Sequence, residues 1–146
     1  MTLQEILRTK GSEVQSIGPK ATLQEVVQRL VKHNIGSLVI CEGDDCERAQ
    51  LRGIITERDI LRACAVYNET WTAVEVASVM TADVLVGRPD DSVEDTMGTM
   101  TENRVRHLPV VSEGRLLGIV SIGDIVKAQH HELTMENHYL KNYIHG

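Results

Sequence analysis

Two heptapeptides carry the groups most able to do chemistry: Gly53-Ile-Ile-Thr-Glu-Arg-Asp59 and Gly118-Ile-Val-Ser-Ile-Gly-Asp124. Both follow the pattern Gly, two apolar residues, Ser or Thr, two variable residues, Asp. An ionised aspartate is an acceptor with two oxygens, suited to a pair of neighbouring hydroxyls such as the 2′ and 3′ hydroxyls of a ribose. A hydrogen bond to such a charged group contributes about 1.5–3 kcal/mol. Thr56 and Ser121 stand three residues earlier, within reach of a ribose or a phosphate, and each begins an expected helix whose N-terminus favours an anion. The same Ser/Thr-x-x-Asp spacing also fits a capping box that needs no ligand. The two roles can coexist, with the hydroxyl capping and the carboxylate facing a ligand.

Other chemistries find no support. No Walker loop or GxGxxG stretch is present. No Cys–His or Ser–His–Asp arrangement is legible, and an enzyme is not expected. His131, His138 and His145 recur every seven residues, which on a helix spaces neighbours about 10 Å apart. Zinc–nitrogen bonds are about 2 Å, so two of these histidines cannot share one ion, and no metal is expected.

The elements that must hold the two motifs also come in duplicate. Thr22–Ile40 lies over Ser92–Val110 at an offset of 70 (92 minus 22), and Leu51–Arg62 over Leu116–Lys127 at 65 (118 minus 53). The difference is an insertion within Glu42–Gln50 of the first copy. Each copy reads β-α-β-β-α. Expected strands are Val14–Ile17, Leu38–Cys41 and Leu51–Ile55, then Val84–Val86, Leu108–Val111 and Leu116–Val120, all short and bounded by turn residues. A helix begins after Thr22, with Leu23, Val26, Val27, Leu30 and Val31 on one face and a stop at Asn34–Gly36. Its counterpart after Ser92 is weaker, because Gly98 costs about 1 kcal/mol against Ala and Thr96 replaces an apolar residue. The last helix of each copy begins at Thr56 or Ser121. Ala73–Met80 reads as a short amphipathic helix, and Leu3–Lys10 as its counterpart. The fold class is α+β, with small sheets covered on one face by helices. Residues 1–69 form the first repeat with an N-terminal helix, and 70–146 the second with a C-terminal helix.

The doubled heptapeptide, with Arg106-His-Leu-Pro-Val-Val111 and a Thr22-Leu-Gln-Glu-Val-Val27 type of helix in each half, resembles the CBS (cystathionine-β-synthase) domain family over roughly Glu13–Lys127. The resemblance implies two repeats packed about a pseudo-twofold axis, with clefts between them that take adenosine ligands. AMP is the first expectation, with ATP, ADP, NAD(H) and S-adenosylmethionine as alternatives. It implies a stand-alone regulatory module, a homodimer and a regulated protein partner; a ligand-free scaffold for dimerisation is the other reading. It also implies that basic residues just before the second strand reach phosphates. Arg106 and His107 fit that description, although His107 fits a satisfied strand-start histidine equally, and Arg104 reads as a solvated charge. The matching stretch of the first repeat, ending at Ser37, has no formal positive charge, and Arg58 could supply it. An adenine ring would lie against Ile17, Leu38, Val86, Leu108 and the adjoining Pro109.

Composition is compatible with that reading. The 146 residues are 42% apolar but only 3% aromatic, with no Phe, so the core must be aliphatic. A half of this size is marginal alone. A net charge of −6 argues against nucleic-acid binding, which needs a basic surface, but not against a small anion. No apolar run approaches the length needed to span a bilayer, and the opening residues resemble no signal or transit peptide; a cytoplasmic location is expected. Three cysteines with no paired spacing suggest no disulfide framework, with Cys41 a small core residue and Cys46 exposed. The segment from Gln129 onward is expected to be a partner-facing or dimer-facing helix, using Leu133, Leu140, Tyr143 and Ile144.

Overall fold

The computed structural model describes residues 1–11, 13–43 and 51–145. The order of elements is α1 (Leu3–Lys10), β1 (Ser16–Ile17), α2 (Leu23–His33), β2 (Ser37–Cys41), β3 (Leu51–Thr56), α3 (Glu57–Tyr67), two 3-10 segments (Asn68–Ala73 and Val76–Ser78), α4 (Val93–Asn103), β4 (His107–Ser112), β5 (Arg115–Ser121) and α5 (Ile122–His145). The α+β repeat expected from the sequence is complete in the first copy and lacks its opening strand in the second. Packing divides the chain into two compact units that differ from the sequence repeats both at α1 and at Ser112–Leu117. One unit is Glu13–Leu85 with Ser112–Leu117; the other is Met1–Ser12, Val86–Val111 and Gly118–Gly146. Helix α1 therefore belongs with the second copy of the motif.

In the unit built on residues 13–85, β1, β2 and β3 form one sheet in that order. β1 runs parallel to β2, pairing Ser16 with Val39 and Ile17 with Ile40. β2 and β3 are antiparallel, with Ser37 opposite Thr56 and Leu38 opposite Ile55. Helix α2 starts at a complete capping box between Thr22 and Glu25 and stops at Asn34, whose left-handed backbone (φ 51°) ends the helical hydrogen bonding. Leu23, Val26 and Leu30 are buried with Ile17, Leu38, Ile40, Ile55, Ala63 and Val76 in one aliphatic core. The face is narrower than expected, for Val31 is 74% exposed. It stands one turn past Val27, at the edge of the apolar stripe, and Leu23, Val26 and Leu30 alone form the buried face. The segment expected as a helix over Ala73–Met80 forms only the 3-10 turn Val76–Ser78, with Val76 as its buried anchor.

In the other unit, α4 and α5 pack on each other, and β4 and β5 form a two-stranded sheet. The expected strand at Val84–Val86 is not one. It is replaced by a single parallel bridge between Gly87 and Val110, in which Gly87 N–H donates to Pro109 O at 2.8 Å and Val111 N–H to Gly87 O at 2.9 Å. Thr96, the polar residue at an apolar position of α4, is buried and donates its hydroxyl to Ser92 O at 2.7 Å, so the site tolerates it by back-bonding within the helix. Helix α1 enters this unit through Leu3 N–H to Asp91 O and Gln4 N–H to Pro89 O, both 3.0 Å, and buries Leu3, Ile6 and Leu7.

Cys41 is buried at the end of β2, as expected, but it is disulfide-bonded, which cysteine counting did not suggest. Cys64 is a free thiol. The reading of Cys46 falls outside the described residues, as does that of the Ile144 side chain. No helix among the described residues is long and apolar enough to cross a membrane.

Candidate functional site

Each motif sits where a strand ends and a helix begins, and each is assembled within one unit. In the first, β3 ends at Thr56, which is also the N-cap of α3. Glu57 N–H donates to Gly36 O at 3.2 Å, clamping the helix start beside the first residue of β2, Ser37. The Thr56 hydroxyl accepts from Asp59 N–H at 3.4 Å, and Asp59 Oδ2 accepts from Thr56 N–H at 3.0 Å. The hydroxyl proton can also point at Oδ2, 3.2 Å away. The capping box is thus real, and it engages one carboxylate oxygen, Oδ2. Arg58 is exposed on the first turn of α3.

The second motif repeats this construction. Ile122 N–H donates to Arg106 O at 2.9 Å, holding the start of α5 beside the start of β4. Ser121 Oγ accepts from Asp124 N–H at 3.1 Å, and Asp124 Oδ2 accepts from Ser121 N–H at 2.8 Å. Arg106 is exposed and His107 half-buried. Arg106 of the expected basic corner is therefore itself the residue whose carbonyl fixes the helix start.

Among the expected apolar contacts, Ile17, Leu38, Leu108 and Pro109 are buried, Leu38 and Leu108 almost wholly so (0% and 2% exposed). Ser37 is buried as well. In this structure it is Val86, 44% exposed, that presents open apolar surface. A groove of about 700 Å³ in the unit built on residues 13–85 borders Ile17 but is otherwise polar, with Arg29, Lys32 and His33 on its wall and no part of the Asp59 motif. Arg29 is already committed there to Ser16 O.

One residue escaped sequence reasoning. Lys10, at the end of α1, places its ammonium 2.6 Å from Asp124 Oδ2 and 2.8 Å from Ile119 O. Burial pushes the Asp124 carboxyl up, but the hydrogen bonds from Lys10 and Ser121 and the Lys10 charge outweigh it and hold the group below its ordinary value. A lysine in the last turn of a helix ordinarily reads as complementing the helix dipole, and a partner 114 residues away leaves no spacing signal. Among the described residues, no cluster of three or more His, Cys, Asp or Glu side chains could hold a metal.

Two motifs of one construction, in two copies of one α+β unit, define a tandem pair of the kind the heptapeptides resemble. A profile of the CBS domain matches residues 3–66 and 76–131, and the chain belongs to the CBS domain family. It is 34% identical over 151 aligned positions to the CBS domain-containing protein CBSX3, mitochondrial, of Arabidopsis thaliana, covering 99% of this chain and 72% of that protein. A CBS-domain protein of Agrobacterium tumefaciens of known structure is 35% identical with a TM-score of 0.83, over 88% of this chain and 92% of that one. The CBS domain protein PAE2072 of Pyrobaculum aerophilum, solved as a complex with AMP, is 27% identical with a TM-score of 0.73, over 85% and 89% of the two chains.

Proposed function

We propose that this chain is a regulatory module that binds an adenine nucleotide, AMP first among them, with the ribose held by Asp59 at one site and Asp124 at the other. The observation that carries the reading is the doubled cap. In each motif the protein's hydrogen bonds to the carboxylate fall on Oδ2, leaving Oδ1 for a ligand hydroxyl. The relative with bound AMP supports the ligand class. Thr56 and Ser121 serve as caps and as neighbours of the ribose; Arg106, His107 and Arg58 supply charge or hydrogen bonds toward phosphate. Ile17, Ser37, Leu38, Val86, Leu108 and Pro109 belong to the surroundings of the base. Occupancy then acts on a partner by shifting a conformational population, by no more than the ligand's differential affinity for the two states; such couplings are typically about 1–3 kcal/mol.

Calorimetric titration of AMP, with GMP as control, tests this on the parent protein and on Asp59→Asn and Asp124→Asn. Asparagine keeps an acceptor for the cap but loses the charge. Loss of one binding event in each variant is expected. AMP binding that survives both substitutions together removes these carboxylates from the site.

A second reading has its own observation. In the distal half of α5, Leu133, Met135, Leu140, Tyr139 and Tyr143 are all more than half exposed. That surface supports an interaction scaffold or homodimer, independent of ligand. A monomeric mass by light scattering at high protein concentration would remove it.

A further inference from the structure

The two motifs are not equivalent in what already occupies them. Helix α1 is fixed at its start by the bonds of Leu3 and Gln4 to Asp91 and Pro89. It is fixed along its length by Leu7, whose methyls lie where a side chain on Gly118 would stand, at 2.7 and 3.2 Å. Its end is therefore delivered to a set place, and Lys10 there bonds both Ile119 O and Asp124 Oδ2. In the other unit the corresponding carbonyl, Ile54 O, accepts from Thr81 N–H at 2.9 Å instead, and no ammonium reaches Asp59 among the described residues.

From this asymmetry we infer that Lys10 is a latch on the second nucleotide site, its ammonium standing on Asp124 where a ribose hydroxyl would compete for the carboxylate. The inference rests on the nucleotide-site reading above. Each carboxylate oxygen has two lone-pair positions. On Asp124 Oδ2 these are taken by Ser121 N–H and Lys10. On Asp59 Oδ2 they are taken by Thr56 N–H and the Thr56 hydroxyl, and that hydroxyl can simply rotate away. A ribose can thus engage both oxygens of Asp59 without breaking an ion pair, whereas at Asp124 only Oδ1 is open and engaging Oδ2 as well displaces Lys10. The displaced pair is partly exposed, with Lys10 at 40% and Asp124 at 24%, so the exchange is reversible rather than prohibitive. The consequence is an order of filling, the Asp59 site before the Asp124 site, with release of α1's last turn as the second site fills. Lys10 is a specificity-setting residue of the second site, acting on the ligand through Asp124.

The test isolates the second site in an Asp59→Asn background. Titration with AMP first establishes that this site binds. Titration with neutral adenosine, which carries no phosphate for Lys10 to attract, then compares Lys10 with Lys10→Met. Exposed ion pairs of this kind correspond to about a twofold to fivefold change in affinity, and Lys10→Met should bind adenosine tighter by that factor. The NMR titration of the Asp124 carboxyl in the ligand-free protein should move upward in the same variant, showing that the pair exists without ligand. Adenosine affinity unchanged or weakened by Lys10→Met, with AMP still binding the Asp59→Asn protein, overturns the latch alone. No AMP binding in the Asp59→Asn background, with or without Lys10→Met, overturns the site and the latch together.

Discussion

Ile54 and Thr81 exchange both of their backbone hydrogen bonds, at 3.0 and 2.9 Å, and this pins the segment after the Val76–Ser78 turn against β3. Gly53, the first residue of the first heptapeptide, is left with no room for a side chain. A Cβ there would stand 2.6 Å from Met80 Sδ and 2.8 Å from Thr81 O. The thioether can move, but the carbonyl belongs to the bonded pair. Gly53→Ala should destabilise the protein by about 1–3 kcal/mol, as overpacking of a filled site does. Gly118→Ala meets only Leu7 methyls and should cost less. Urea denaturation of both variants measures the difference.

The opposite sign is expected at Gly98. It lies inside α4, on the exposed face, with nothing within 4 Å of an added Cβ. Gly98→Ala should raise stability by up to about 1 kcal/mol, through helix propensity and a less free unfolded chain. A Tm lower than that of the parent would contradict this placement.

Thr56 and Ser121 close the N-termini of α3 and α5 whether or not a ligand is present. Thr56→Ala and Ser121→Ala should each cost about 0.5–2 kcal/mol in nucleotide-free protein. Chemical denaturation without nucleotide reads the capping role separately from any binding role.

Acid should act on Asp124. Its carboxyl titrates below its ordinary value when folded, so the native state binds fewer protons there than the unfolded chain. Its contribution is fully present above the unfolded value of about 3.9 and is lost as pH falls through the lowered folded value. Lys10→Met should shrink the loss of stability as pH falls below about 4 relative to the parent, since the unfolded value sets the upper limit. Thermal melts across that range provide the measurement; equal acid sensitivity in the two proteins would mean that the ion pair does not contribute.

Much of this was legible in the residues. The duplicated pattern located the N-caps of α2, α3, α4 and α5, because Thr22, Thr56, Ser92 and Ser121 announce themselves through local spacing, and local hydrogen bonds realise them. Strands defined by pairing were harder to read. Val84–Val86 has strand composition, yet only Gly87 meets β4, because pairing depends on a partner that composition does not reveal. Ala73–Met80 has helical periodicity but forms just one 3-10 turn, with its backbone spent on Ala21 O, Pro19 O and Leu23 N–H instead. Leu38 and Leu108 are buried in this structure, and apolarity alone does not tell a core residue from one that also borders a ligand. Lys10 was invisible for the same reason as the Ile54–Thr81 pair, since both contacts join residues far apart in sequence.

The membership of α1 in the second packing unit bears on how the protein comes off the ribosome. Leu3 finds its hydrogen-bond partner only at Asp91, and Lys10 only at Ile119 and Asp124. At about 5–20 residues per second, α1 waits for seconds after it emerges, with Leu3, Ile6 and Leu7 uncovered. An eight-residue helix is too short to persist alone in water, so it is made early and folded late. Truncation before Asp124 would leave that apolar stretch without its site, and a stalled nascent chain of that length should be a substrate for chaperones that the finished protein is not.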